Sequence, residues 1–307
     1  MRIAEILVTY VLLVLVTGFF GYALVRLSET VLSISSRTRQ LLYAAVMALP
    51  LTAFSLAMVH WAEVCSFITN RLLNRAKLLI MPLSGNIILL LSGLALLNMV
   101  RARRNSNIPY GRLPVVKMPT PYERVYKLLA ELEASPLELV IYDFPHPIAC
   151  VRGVREPRIL LTSSLLEIMD DRELKAVLAH ELAHIIGHDN LLNRALALVR
   201  KLTFFSPVMR LAYTRYGIAR EEVADDFAAS KIEQPADLAS ALVKVVRASQ
   251  EWTRCQPQAT GHSALESSLA LQRAERILND PYKVPHNFLL ENGLLFLVIS
   301  VMPMLFC

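Results

Sequence analysis

The stretch that decides the fold is DDRELKAVLAHELAHII, residues 170–186. Asp170 is followed three residues later by Glu173, a capping-box pattern that predicts the start of a helix. Within this helix His180 and His184 are four residues apart and lie on one face, so both imidazoles can reach the same ion. Glu181 is turned by about 100° from His180, which leaves its carboxylate free to hold a water beside that ion.

His-Glu-x-x-His on a helix is typical of zinc peptidases, in which two histidines bind the metal and the glutamate is the general base. Half-buried histidines without a metal are the common alternative. The surroundings favour the catalytic interpretation, because a charged pair in an apolar helix costs free energy unless a metal ion compensates it. The apolar neighbours are Leu174, Val177, Leu178, Leu182, Ile185 and Ile186.

A catalytic zinc needs one further protein ligand. His188 lies on the same face, but it is about 12 Å from His180 along the helix axis, so three histidines in a straight row cannot converge on one ion. The segment AREEVADDFAA, residues 219–229, combines acids with small residues and predicts a second helix that can approach closely. A solvated acidic helix face is the other interpretation of this segment.

The composition indicates a membrane protein. Of 307 residues 54% are hydrophobic and 19% charged, and the apolar residues are concentrated at the two ends. We interpret the formal net charge of +6 as basic residues at a lipid surface. No basic stripe interleaved with aromatics is present, which argues against a nucleic-acid partner. No Cys-x-x-Cys pair occurs, so neither a disulfide framework nor a cysteine zinc site is predicted.

Long apolar runs predict four transmembrane helices, with Pro50 as a tolerated kink in the second. They lie at about 6–25, 41–59, 78–100 and 287–307. The basic cluster RARR at 101–104 predicts that the segment after the third span is cytoplasmic. We therefore expect a mixed fold, membrane α-helical plus α+β. Its parts are three spans over 1–104, a zinc peptidase domain over 105–286 and a fourth span over 287–307.

Within the central domain the sequence predicts a helix at 122–134, a strand at 137–142 and a β-hairpin at 148–162 with its turn at 153–158. A short capped helix follows at 164–167. The strand Ile159–Leu161 is either an edge strand that pairs with an extended substrate or an ordinary core strand. The apolar and basic run 201–211 is either a hairpin at the membrane surface or part of the domain core.

The central segment resembles the gluzincin membrane peptidases, which include the HtpX, CAAX prenyl-protease and BlaR/MecR antirepressor types. HELAH at 180–184 is followed by the Glu-x-x-Ala-Asp pattern at 221–225. The resemblance to the BlaR/MecR type covers roughly residues 140–280. It also includes PRILL at 157–161, SLL at 164–166, Asp189 and FFSP at 204–207.

The resemblance implies a role for each matching residue. His180, His184 and Glu221 match the zinc ligands, and Glu181 matches the general base. Asp225 matches the carboxylate that orients a ligand histidine from behind.

Glu222 with Asp226 is the register-shifted alternative, and Glu221 is favoured because Ala224 then occupies the small-residue position. A residue that stabilises the oxyanion cannot be chosen from the sequence. The candidates are Tyr213, Arg215, Tyr216 and Arg220.

We expect an integral-membrane zinc metalloendopeptidase in a bacterial inner membrane, multi-pass, with its active site on the cytoplasmic side. The resemblance implies a signalling role in which a cytoplasmic or membrane protein, such as a repressor, is cleaved. The chain ends at Cys307 without the extracellular penicillin-binding domain of the β-lactam sensors, so a separate sensor or repressor is the expected partner.

Three alternatives remain open. An HtpX-type quality-control protease would cleave unrelated unfolded membrane proteins. A non-catalytic receptor or scaffold would carry structural zinc, but a structural site needs no base such as Glu181. A transporter is weaker, because the spans hold few ionisable residues.

Overall fold

The computed structural model describes residues 3–32, 34–68, 114–134, 137–153, 155–255 and 263–279. Two long helices come first, α1 (Ile3–Val31) and α2 (Ser36–Ile68), and they pack against each other. Within them Ile6–Val31 and Ser36–Met58 are long and apolar enough to cross a membrane. The first stretch contains the first predicted span, and the second contains all but the last residue of the second predicted span. The third and fourth predicted spans lie outside the described residues.

The α1–α2 pair has the surface expected of helices in lipid. Large apolar side chains such as Leu12, Phe19 and Phe20 are exposed, and a helix that is apolar all round is typical of a membrane span. Near the turn between the helices, the Tyr43 hydroxyl donates a hydrogen bond of 2.9 Å to Glu29. The helix continues through Pro50, as predicted.

The predicted site residues belong to one compact unit, formed within Ile108–Asn193 and Glu221–Val284. The remaining elements, some of which extend beyond this unit, follow in chain order. They are α3 (Pro119–Glu131), β1 (Glu138–Tyr142), β2 (Ala149–Arg152), β3 (Arg158–Thr162), α4 (Ser163–Ile168), α5 (Asp171–Ile186), α6 (Asp189–Leu202), α7 (Pro207–Lys231), α8 (Pro235–Cys255) and α9 (Ser263–Asn279).

Three strands form a sheet in the order β1-β3-β2, with β1 parallel and β2 antiparallel to β3. Of the two interpretations of Ile159–Leu161, the core strand is therefore confirmed and the edge strand is wrong, because β3 is the central strand. Its apolar run is that of a strand buried on both faces, and Ile159 and Leu161 are fully buried. The described edge on the hairpin side belongs to β2.

The predicted hairpin between β2 and β3 is confirmed. Gly153 follows β2 with a positive φ of 96°, and a Cβ there would lie 2.1 Å from the carbonyl oxygen of Glu156. Only glycine fits this turn.

The capping box at the start of α5 is also confirmed. Asp170 Oδ1 accepts hydrogen bonds from the backbone N–H groups of Arg172 and Glu173, and Glu173 Oε2 accepts from Asp170 N. Glu173 has a second role, since Ser240 donates to it at 2.7 Å and Lys244 at 2.6 Å, both from α8. This buried carboxylate therefore links α5 to α8 by two hydrogen bonds.

Replacing Glu173 with glutamine is expected to lower the free energy of unfolding at pH 7 by about 1–3 kcal/mol, because the bonds from Ser240 and Lys244 lose a charged acceptor. Burial raises the pKa of Glu173, but Lys244 and Ser240 outweigh it, and the pKa lies below its ordinary value. The stabilisation is thus complete above the unfolded-state pKa of about 4.3 and is lost as the pH falls through the lower folded-state pKa.

Urea unfolding of the detergent-purified wild type and of Glu173→Gln, at pH 7 and at falling pH, measures the difference in their free energies of unfolding. Glu131→Gln is the matched control, since Glu131 pairs with Lys175 at the surface and surface pairs contribute little. The assigned role of Glu173 would be contradicted if both substitutions lowered the free energy of unfolding equally. It would also be contradicted if the difference between wild type and Glu173→Gln did not become smaller in acid.

Candidate metal centre

Helix α5 carries three of the predicted site residues, and all three are largely buried. The Nε2 atoms of His180 and His184 are 3.2 Å apart, and the two rings are perpendicular. This follows from their spacing of four residues, which stacks them on one helical face. Glu181 is 7% exposed and lies on the next helical position.

Glu221 reaches these histidines from α7. Its Oε2 lies 3.5 Å from His180 Nε2, and its Oε1 lies 3.9 Å from His184 Nε2. One ligand atom from each of the three residues lies within 4.8 Å of the others. Metal–ligand distances of 2.0–2.1 Å in a tetrahedral site put donor atoms about 3.3 Å apart. Two imidazoles and a carboxylate at these separations could hold a zinc ion.

Each histidine has a carboxylate on the side away from the other ring. His184 Nδ1–H donates to Asp189 Oδ2 at 2.6 Å. Asp225, which is 0% exposed, places Oδ1 3.0 Å from His180 Nδ1, although the N–H is not aligned with it. Such partners orient metal-binding imidazoles and raise their basicity. The contact of Asp189 was missed by sequence reasoning, although its position five residues after His184 was a usable signal.

A cation from α9 joins the two carboxylates of α7. Arg273 donates from Nε to Asp225 Oδ2 at 2.8 Å and from Nη2 to Oδ1 at 2.6 Å. Its Nη1 also lies 3.2 Å from Glu221 Oε2. Sequence reasoning missed Arg273, because it lies 48 residues beyond Asp225 and no local pattern joins them. It offsets the negative charge that the carboxylates would otherwise concentrate.

The charges of the site shift several pKa values. Burial lowers the pKa of His180, but Asp225 and Glu221 outweigh it and raise the pKa to about 9. Burial raises the pKa of Asp225, but Arg273 and His180 outweigh it and hold the pKa at about 2. Burial raises the pKa of Glu181 above the ordinary glutamate value, against the opposing effect of the two histidines. Metal binding at His180 would therefore release a proton.

The register-shifted alternative, Glu222 with Asp226, contacts Arg276 of α9. Asp226 accepts a hydrogen bond of 2.7 Å from Arg276, whose Nη2 also donates to the backbone carbonyl of Glu222. Glu221 is thus the glutamate that lies at the histidines. The oxyanion candidates fall within Arg194–Arg220, which belongs to the other compact unit, so their role stays a prediction.

Residues 143–271 match the family model of the BlaR1 peptidase M56. This part of the chain is similar to the peptidase domain of that family. The resemblance predicted from the sequence is confirmed, and with it the similarity to metalloproteases. The match includes every predicted ligand and base, and Arg273 lies two residues beyond it.

The chain is also similar to individual proteins of two kinds. The protease HtpX homolog of Tropheryma whipplei strain TW08/27 is 32% identical over 148 residues, 35% of this chain and 50% of that protein. The methicillin resistance mecR1 protein of Staphylococcus aureus is 28% identical over 75 residues, 24% of this chain and 13% of that protein. The HtpX homolog of Aquifex aeolicus is 42% identical over 60 residues, 20% of each chain. The chain thus matches half or less of each of these relatives.

Proposed function

We propose that this chain is an integral-membrane zinc metalloendopeptidase that hydrolyses peptide bonds of a cytoplasmic or membrane protein. The observation that carries the proposal is the convergence of His180, His184 and Glu221 beside the buried carboxylate of Glu181. Two histidines with one glutamate form the ligand set of catalytic zinc sites that keep one position open.

Each residue has a task in this proposal. His180, His184 and Glu221 would hold a zinc ion, which would act as the Lewis acid for the scissile carbonyl and for an attacking water. Glu181 accepts a proton from that water as the new C–O bond forms, and passes it to the amine as the C–N bond breaks. Asp189 and Asp225 hold the histidines, and Arg273 holds Asp225 and Glu221.

The substrate backbone is proposed to pair with the outer edge of β2. An extended peptide gains main-chain hydrogen bonds when it joins an open sheet edge. In the described part of the chain β2 pairs with β3 alone. The opposite edge of the sheet is partly covered, because Val115 bridges Tyr142 and Val116 N donates to Ile141 O at 2.9 Å.

The membrane arrangement is part of the proposal. The two apolar helices of the described residues support a membrane protein. The count of four spans, the boundaries at 104 and 286 and a cytoplasmic active site rest on the apolar runs and on the basic cluster at 101–104.

Two biological roles are compatible with this chemistry. Similarity to the mecR1 protein favours regulated cleavage of a repressor, with a separate sensor as partner. HtpX homologs are similar to this chain over longer segments or at higher identity, which favours membrane-protein quality control as the second candidate. A non-catalytic scaffold with structural zinc is the competing class.

Metal removal tests the proposal. The detergent-purified chain is expected to carry about one zinc per molecule and to cleave reduced, unfolded β-casein. Dialysis against 1,10-phenanthroline should abolish cleavage, and one equivalent of zinc should restore it, because both the carbonyl and the water lose their Lewis acid. Metal analysis and peptide mapping by mass spectrometry measure the two quantities.

Casein that stays intact while a co-expressed repressor is cut would favour the regulatory role over quality control. A protein that carries zinc but cuts neither would instead support the scaffold.

A further inference from the structure

One side chain already occupies part of the edge that the substrate would use. Asn190, the second residue of α6, donates from Nδ2 to the carbonyl oxygen of Gly153 at 2.9 Å and to that of Val151 at 3.3 Å. Both acceptors lie at the C-terminal end of β2. The amide of Asn190 therefore stands where the N–H groups of a neighbouring strand would stand.

The pairing of β2 with β3 determines which backbone groups face outward. Thr162 N donates to Ile148 O at 3.1 Å, and Cys150 lies opposite Leu160 in the same register. In an antiparallel pair the residues alternate between those bonded to the partner strand and those directed away from it. Ile148 and Cys150 therefore bond towards β3, and the N–H and C=O groups of Ala149 and Val151 face the open edge.

Of the two outward-facing residues of β2, Ala149 keeps both its donor and its acceptor for an added strand. The carbonyl of Val151 is engaged by Asn190, so at Val151 only the N–H remains for an incoming backbone. In the other direction lies Pro147, which is buried and has no N–H to donate. The available edge is therefore about one residue pair long.

We infer that Asn190 sets the register and length of substrate pairing by replacing one substrate amide at the carbonyl of Val151. This inference rests on the proposed peptidase function. Asn190 directly follows Asp189, which holds His184, so adjacent residues connect the end of the pairing edge to a metal ligand. The substrate that fits is an extended peptide that needs only a short stretch of free backbone beside the scissile bond.

Backbone N-methylation of the substrate tests this inference. The probe is a peptide spanning the site that the wild-type chain cuts in unfolded β-casein, with each amide methylated in turn. In the wild type, methylation of the amide that faces the Ala149 carbonyl should lower kcat/KM about five- to tenfold, the value of one backbone hydrogen bond. Methylation two residues away, opposite Val151, should change kcat/KM less than about twofold.

In Asn190→Ala the amide opposite Val151 should become sensitive to methylation by the same factor, because the carbonyl is then free to accept. Wild-type sensitivity at both amides, or identical profiles for wild type and Asn190→Ala, overturns the inference while the peptidase function stands. The comparison of the two methylated amides in the wild type tests the inference even if Asn190→Ala fails to fold. A wild type that cuts neither casein nor the co-expressed repressor overturns the proposed function and this inference with it.

Discussion

Glu181→Gln is expected to lower the rate of peptide hydrolysis by about 100- to 10,000-fold while leaving bound zinc unchanged. The carboxylate accepts the proton of the attacking water, and an amide of nearly the same shape cannot. Glu181 is not among the three groups that could hold the metal, so its loss removes the base and keeps the ligand set.

The measurement is kcat on casein-derived peptides, with zinc content determined on the same preparation. Glu167→Gln is the matched control, because Glu167 is exposed on α4 outside the site, and it should retain wild-type activity and zinc. Full activity of Glu181→Gln would exclude its role as the base. Loss of zinc together with activity would mean that Glu181 serves the metal and not the proton transfer.

Glu221→Ala is expected to weaken zinc binding by more than about 100-fold, since changes to partners behind the ligands already lower affinity 10- to 100-fold. With the carboxylate removed, His180 and His184 would be the two of these three described groups that remain to bind the ion. Glu222→Ala is the matched control on the same helix, because Arg276 contacts the backbone of Glu222 and keeps that contact in the variant.

Zinc affinity by competition with a chromogenic chelator checks this result without any need for activity, and thermal unfolding of the zinc-free proteins shows whether each variant is folded. If Glu222→Ala loses zinc and Glu221→Ala keeps it, the ligand set belongs to the shifted register. If both variants keep zinc, a third ligand from this part of α7 is excluded.

Local patterns predicted several features that the structure confirms. The start of α5 at its capping box depends on Asp170 and Glu173, three residues apart, and the meeting of His180 with His184 depends on helical periodicity. The turn at Gly153 depends on a backbone conformation that only glycine adopts freely. Each of these features is decided within a few neighbouring residues, so a single sequence is sufficient to predict it.

Local patterns could not predict other features of the structure. The apolar run of β3 has the same composition in a central strand as in a half-covered edge, so the sequence did not show that β2 lies outside it. Arg273 and Asn190 are ordinary polar residues on helices. Their roles appear only when α9 brings Arg273 to Asp225 and when α6 brings Asn190 to the carbonyls of Val151 and Gly153.

The amino-acid sequence alone determined the resemblance to the M56 peptidases, the helix that brings His180 and His184 together, and the apolar helices at the start of the chain, because helical spacing and hydropathy are local properties. The tertiary structure alone decided which strand offers an edge, which carboxylates contact His180 and His184 and which glutamate of α7 faces these histidines. Those contacts join residues far apart in the chain, and their partners are selected by packing and charge after the elements have formed.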